Sequence, residues 1–167
     1  GQIIREIDAL GGRSGFVSDL SAVQFKMLNR SKGPAMWSPR VQSDRMLFSS
    51  IWRKELEKQK NLDFCQAVVN DLLFDDNKIS GVVSSTGTKF YSETVILTNG
   101  TFLNGLIHIG EKNFGGGRAA EKPSVGLTSS LKKLGFESGR MKTGTPPRVD
   151  SRSLDFSKME EQPGDEK

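Results

Sequence analysis

The sequence predicts an α/β fold, a parallel sheet joined to an antiparallel β-meander, and three observations point there. Thr94-Val95-Ile96-Leu97 is a β-branched apolar run without alternation, as in a strand buried on both faces of a parallel sheet. It stops at Thr98-Asn99-Gly100-Thr101, small polar residues that either end the strand in a plain turn or leave its carboxyl edge open to a ligand. Three short runs, Val68–Phe74, Lys78–Ser84 and Lys89–Tyr91, come before it, separated by Asp75-Asp76-Asn77 and Thr86-Gly87. Polar turn residues between β-rich runs are the signature of a meander.

In chain order, Ile3, Ile4, Ile7 and Leu10 recur at helical spacing, and Gly11-Gly12 supplies a left-handed cap. Val23, Phe25 and Met27 alternate as in a strand, followed by the loop Asn29–Pro34, although helix and strand compete over Phe16–Asn29. Ser38 followed by Pro39 predicts a helix start, with a helix running to about Lys60 and a buried stripe of Val41, Phe48, Ile51, Trp52 and Leu56. Arg40, Gln42, Asp44 and Arg45 then fall in its first turns, either as a solvated helix start or as an anion-facing patch. A short strand over Asp63–Gln66 leads into the meander. This order of helix, strand, meander, buried strand and glycine is that of the FAD-binding half of two-dinucleotide-binding flavoproteins. The expected fold is therefore a partial Rossmann-like FAD/NAD(P)-binding domain with an antiparallel β-meander.

The chain has 167 residues, with 24 Lys+Arg against 20 Asp+Glu, a length suited to one domain or a large piece of one. The charge is uneven. From Ser151 onward there are three basic residues (Arg152, Lys158, Lys167) and five acidic ones (Asp155, Glu160, Glu161, Asp165, Glu166), which leaves +6 on residues 1–150. That excess is compatible with a polyanionic partner. Cys65 is the single cysteine, so a disulfide framework or cysteine metal cluster is excluded, and a reducing cytoplasm is the natural compartment. Lying in an apolar segment, Cys65 reads as a buried small hydrophobe. No run approaches a membrane span, and no signal peptide is visible. Gly1 enters a helical pattern directly without an initiator methionine, which suggests a fragment of something longer.

The densest motifs follow Gly105. Gly115-Gly116-Gly117 before Arg118 offers either an anion-binding nest of bare amides with a forked donor, or a flexible surface loop. His108, the only histidine, fits a satisfied, partly buried position better than a general base. A helix from about Val125 to Leu134 ends at Gly135. Gly139–Arg148 then combines two glycines, two prolines and the cations Arg140, Lys142 and Arg148, a loop costly to order and more often kept for a ligand than for packing. Met159 to Lys167 is polar and acidic, and is expected to fray.

Several segments carry a family resemblance. They are Glu6–Gly12, Gln24-Phe25, Leu28-Asn29, Ser31-Lys32-Gly33-Pro34-Ala35, Gln42-Ser43-Asp44-Arg45, Gly100-Thr101-Phe102-Leu103, Ile107-His108-Ile109-Gly110, Gly116-Gly117-Arg118 and Lys142-Thr143-Gly144-Thr145-Pro146-Pro147-Arg148. Over essentially the whole chain these resemble the bacterial tRNA uridine 5-carboxymethylaminomethyl modification flavoproteins, the MnmG or GidA family. The resemblance implies an enzyme that binds FAD, takes hydride from NADH and works with the GTPase MnmE on the wobble uridine of tRNA. There a one-carbon unit from methylenetetrahydrofolate and an amine are joined at C5 of the base. It also implies a homodimer when full length, and a cytoplasmic setting.

By position, the resemblance makes Val69 a backbone contact for the adenine end of FAD and Ser124 a second contact. Gly100 and Thr101 lie where the family's sheet approaches the dinucleotide, and Arg118, Lys142 and Arg148 are expected on the flavin or substrate side. The family's Gly-x-Gly-x-x-Gly strand–loop–helix and a Cys-Asn-Pro segment would precede Gly1. The NADH-binding domain, the proposed catalytic cysteine and the helical domain for tRNA and MnmE would follow. Residues 1–150 are then the central part of the FAD-binding domain, and 151–167 a polar acidic tail leading towards the NADH-binding region. Cys65 does not match the nucleophile, and Met36-Trp37-Ser38-Pro39 departs from the family's Ala-Val-Arg-Ala-like run. Another FAD-dependent oxidoreductase, or a non-catalytic basic module for nucleic acid, remain the alternatives that residue patterns allow.

Overall fold

The computed structural model describes residues 1–146 and 149–165. The chain divides into two compact units, Gly1–Asp63 with the described residues of Pro147–Lys167, and Phe64–Pro146.

In the first unit, helices α1 (Gln2–Ala9) and α2 (Ser14–Leu20) are followed by strands β1 (Ala22–Leu28) and β2 (Ser38–Ser43), then helix α3 (Arg45–Glu57). Helix α1 ends where expected, with Gly11 at φ +92°. Its apolar stripe is uncovered: Ile3, Ile4, Ile7 and Leu10 are all exposed. Packing centres instead on Val17 and Ser21, both fully buried, with the Ser21 hydroxyl donating to the Val17 carbonyl.

Ser38-Pro39 does not begin a helix. It opens β2, antiparallel to β1, with Pro39 opposite Met27. Proline is tolerated at the start of an edge strand because its missing N–H interrupts little of the ladder. The helix starts one strand later, where the Asp44 carboxylate caps it by accepting from the Leu47 amide at 2.7 Å. Val41 and Arg40 therefore belong to β2, and the half-buried stripe of α3 is Phe48, Ile51, Trp52 and Leu56.

The acidic tail is not frayed at Gln162–Asp165. The Asp165 amide donates to the Phe25 carbonyl at 2.8 Å, and its carboxylate accepts from the Met27 amide and the Arg30 guanidinium. A carboxylate at a strand's outer edge recovers in charge-assisted bonds the entropy that its composition argued would be kept.

In the second unit the meander forms as expected: β3 (Val69–Asp75), β4 (Lys78–Ser84) and β5 (Lys89–Tyr91) pair antiparallel in that order. Asp76 and Asn77 both take positive φ in the β3–β4 turn. A hairpin of β6 (Leu106–Ile109) and β7 (Lys112–Gly115) and helix α4 (Leu127–Lys133) follow, with Gly135 at φ +88° ending the helix.

Two expected strands are missing. Asp63–Gln66 carries no regular structure, and neither does Thr94–Leu97, where Ile96 is 86% exposed. A parallel strand exists only through hydrogen bonds to neighbours distant in sequence, and among the described residues no strand pairs with it. Cys65 and His108 are both exposed, which corrects the buried positions expected for them. His108 sits opposite Asn113 in a hairpin of two strands, and such a pair alone buries little of either face.

Candidate nucleotide-binding site

All the described candidate contacts lie in the second unit. Val69, the first residue of β3, is half-buried, and its carbonyl accepts the Ser124 hydroxyl at 3.1 Å. Ser124 also forms an isolated parallel bridge with Leu103: its amide donates to the Phe102 carbonyl, and its carbonyl accepts from the Asn104 amide, each at 2.9 Å. One hydrogen-bonded ladder thus joins the start of the meander, residue 124 and the turn just after Gly100-Thr101.

That turn is tight. Phe102 N–H donates to the Asn99 carbonyl and Gly105 N–H to the Phe102 carbonyl, with Gly100 at φ +53° and Asn104 at φ +46°. A side chain at Gly105 would stand 2.5 Å from the Gly116 and Thr101 carbonyls, so the two backbones cross here in contact. Thr101 fixes the same crossing from its side chain, donating to the Gly117 carbonyl at 2.6 Å. Thr98, Gly100 and Thr101 are exposed, and the space beside the Gly100 Cα is open. The strand leading to the tip is absent, yet the tip itself is formed, uncovered and next to the glycine triplet.

The glycine triplet is not an anion nest. Gly116 and Gly117 amides already donate to the Gly105 and Glu121 carbonyls, and none of the three glycines takes the positive φ that turns successive amides inward. Arg118 is exposed and paired with the Glu121 carboxylate through Nε at 2.6 Å and a second, shorter contact, so its charge is met locally. The hollow beside it, lined by Phe114, Gly115, Arg118, Ala120, Glu121 and Lys122, has a volume of about 230 Å³. A larger hollow of about 420 Å³ lies at the β3–β4 hairpin and β5, between Asp75, Lys78 and Tyr91. Neither includes Val69 or Ser124, whose hydrogen-bonded convergence marks the site better than concavity does. Lys142 is exposed in an irregular stretch, and Arg148 lies outside the described residues.

Helix α4 is held to β3 close to this ladder. The Ser130 hydroxyl donates to the Asp71 carboxylate at 2.5 Å, and this bond, the Leu72 amide and Lys133 hold the Asp71 carboxyl below its ordinary 3.8 against slight desolvation. Gly126, at φ +111°, passes so close to Asn70 that a Cβ would stand 2.9 Å from its carbonyl oxygen. The Thr128 hydroxyl oxygen is shielded from solvent and has no partner among the described residues. The Arg140 guanidinium, one of the cations of the loop expected to serve a ligand, donates instead to the Asn104 carbonyl at 2.8 Å. Asp71, Asn104 and Gly126 were not singled out as site residues by sequence; Asp71 and Asn104 are defined by partners 59 and 36 residues away.

Chemically, the site offers backbone and hydroxyl groups, not acids or bases. The Val69 carbonyl takes the bond from Ser124, and the Ser124 oxygen can itself still accept. Such a surface reads a heterocycle edge or a sugar hydroxyl. No group of three or more potential metal-ligating side chains exists among the described residues, and no described helix is long and apolar enough to cross a membrane.

The family described as glucose inhibited division protein A matches residues 1–167. The tRNA uridine 5-carboxymethylaminomethyl modification enzyme MnmG of Flavobacterium johnsoniae is 66% identical over all of this chain, and that of Christiangramia forsetii is 65% identical over 99% of it. The chain spans 27% of the length of each. Among solved structures, Aquifex aeolicus GidA in its form I crystal superposes over 98% of this chain and 27% of its own, with a TM-score of 0.87 and 44% identity. The GidA-related protein of Thermus thermophilus covers 57% of this chain and 43% of its own, at 28% identity and a TM-score of 0.53.

Proposed function

Because the chain belongs to the family of glucose inhibited division protein A, we propose that it is the central part of the FAD-binding domain of a longer tRNA-modifying enzyme. The full-length protein forms the 5-carboxymethylaminomethyl group at the wobble uridine of tRNA, in the cytoplasm, as a homodimer working with the GTPase MnmE. The observation that carries this reading is the hydrogen bond from Ser124 to Val69. Two residues 55 apart in sequence, each matched by resemblance to the same cofactor, are in direct contact.

FAD, when bound, supplies the hydride chemistry, with NADH as its reductant. The part of this chain is to hold and orient. Val69 presents backbone groups to the adenine edge, Ser124 fixes that backbone and offers its own oxygen, and the small residues Gly100-Thr101 leave room for the dinucleotide. Lys142 supplies positive charge to the anionic substrate, a role expected also of Arg148, which lies outside the described residues; Arg118 joins them by giving up Glu121. With the family's pyrophosphate loop outside this chain, the segment alone is inactive and holds FAD poorly.

The test is to incubate the full-length protein with FAD, NADH, MnmE and unmodified tRNA and to analyse the nucleosides by mass spectrometry. Modified uridine supports the reading. Flavin turnover on a small substrate with untouched tRNA would favour another oxidoreductase. Salt-sensitive tRNA binding without bound flavin would favour a nucleic-acid module.

A further inference from the structure

Residues Glu137–Pro146 form no helix or strand, and among the described residues one hydrogen bond ties them to the rest of their unit. It runs from Arg140 Nη1 to the Asn104 carbonyl, at 2.8 Å. Asn104 is no ordinary surface acceptor. Its residue is left-handed, at φ +46°, and its amide donates to the Ser124 carbonyl, while the Ser124 hydroxyl donates to the Val69 carbonyl. A continuous chain of bonds therefore leads from Arg140 through Asn104 and Ser124 to Val69.

We propose that Arg140 is a positioning residue: it anchors the foot of the loop carrying Lys142 to the turn that builds the nucleotide site, so that this cation meets the phosphate backbone of the tRNA next to the cofactor. This rests on the function proposed above. Arg140 touches neither cofactor nor reacting atoms. A guanidinium suits the task because it is permanently charged and its planar fork loses little freedom on bonding one carbonyl. A lysine reaches the same oxygen as a single flexible donor and should restore part of the anchoring. The anchor lies two residues before Lys142, so its loss frees the loop without touching β3, α4 or the Ser124 ladder. The consequence is a loss of uniform substrate binding, which raises KM and spares kcat.

The experiment compares the full-length protein with its Arg140→Met and Arg140→Lys variants in two measurements. In limited trypsin digestion without ligands, cleavage after Lys142, followed by mass spectrometry, should be about tenfold faster in R140M than in the parent, at an unchanged melting temperature. In steady state with unmodified tRNA, R140M should raise KM about tenfold with kcat and FAD affinity within twofold, and R140K should recover part of the loss. Faster cleavage with unchanged KM would overturn the role towards substrate. Unchanged cleavage would overturn the anchor itself, and a joint fall in melting temperature, FAD affinity and kcat would make Arg140 merely structural. A parent protein that binds no FAD and leaves tRNA untouched contradicts the proposed function instead, and the digestion still decides the anchor.

Discussion

The meander Val69–Tyr91 and the run Thr94–Leu97 adjoin in the chain and share β-branched, apolar composition, yet only the first is a sheet. The meander closes on itself. Its strands are joined by turns whose residues accept positive φ, so each ladder needs a partner only a few residues away. Thr94–Leu97 has no such neighbour. Ile96 stands 86% exposed in a segment without regular structure that ends, nonetheless, in the well-formed turn at Asn99–Gly105. The contrast separates structure that is stable locally from structure that waits for distant chain. This chain spans 27% of its relatives' length, and we infer that the rest of the full-length protein supplies the neighbours of Thr94–Leu97.

The comparison is broken most severely inside the meander. A Cβ at Gly81, where φ is +149°, would lie 2.0 Å from the Phe90 carbonyl oxygen on the neighbouring strand. Gly81→Ala should therefore separate β4 from β5 at a cost of about 3 kcal/mol. Urea denaturation of the isolated segment would detect it; an unchanged midpoint would mean that the β4–β5 ladder contributes nothing.

A sharper division comes from Ile96→Asp. In the isolated chain, where the side chain is already in water, stability should change by less than about 0.5 kcal/mol. In the full-length protein the same change should cost about 3 kcal/mol, because an unpaired carboxylate enters a covered sheet. Equal, small effects in both would show that Thr94–Leu97 never becomes a buried strand.

Ser124→Ala should leave both regions folded but weaken FAD binding by the full-length protein about fivefold to tenfold, equivalent to about 1 kcal/mol for one lost hydrogen bond. An unaltered titration would remove Ser124 from the site. Arg118→Ala is expected to shift the same titration by less than twofold, since its exposed charge is already met by Glu121.

The smallest effect concerns pH. The folded Asp71 carboxyl ionises below its ordinary 3.8, so its contribution is present above that value and fades as pH falls through the lower, folded one. Asp71→Asn should therefore lower the second unit's stability slightly at neutral pH, flatten its acid limb below about pH 4, and converge with the parent in stronger acid, read by far-UV circular dichroism. Identical acid limbs would show that the Ser130–Asp71 bond does not hold α4 to the meander.

Elements set by neighbouring residues were legible in the sequence. The meander, the helix after Val125 and the left-handed glycines Gly11 and Gly135 each carry their signal within a few positions. Failures occurred where a distant partner decides. Ser38-Pro39 looks like a helix start until β1 pairs with it, and the tail looks disordered until Asp165 reaches Met27 and Arg30. Gly115-Gly116-Gly117 suggested an anion nest by composition, but the Gly116 and Gly117 amides serve β-type bonds. Val69 and Ser124 were reached through family likeness, and nothing local in either residue announces that the two meet.

Hydrogen exchange with and without FAD, followed residue by residue in the full-length protein, addresses the central claim most directly. If the small-residue tip and the Val69–Ser124 pair form one wall of the nucleotide site, FAD should slow exchange at Val69-Asn70, Asn99–Phe102 and Ser124, and leave the Asp76-Asn77 turn unchanged. Protection confined to other parts of the protein, with exchange at Val69, Gly100 and Ser124 unaltered by saturating FAD, would contradict it.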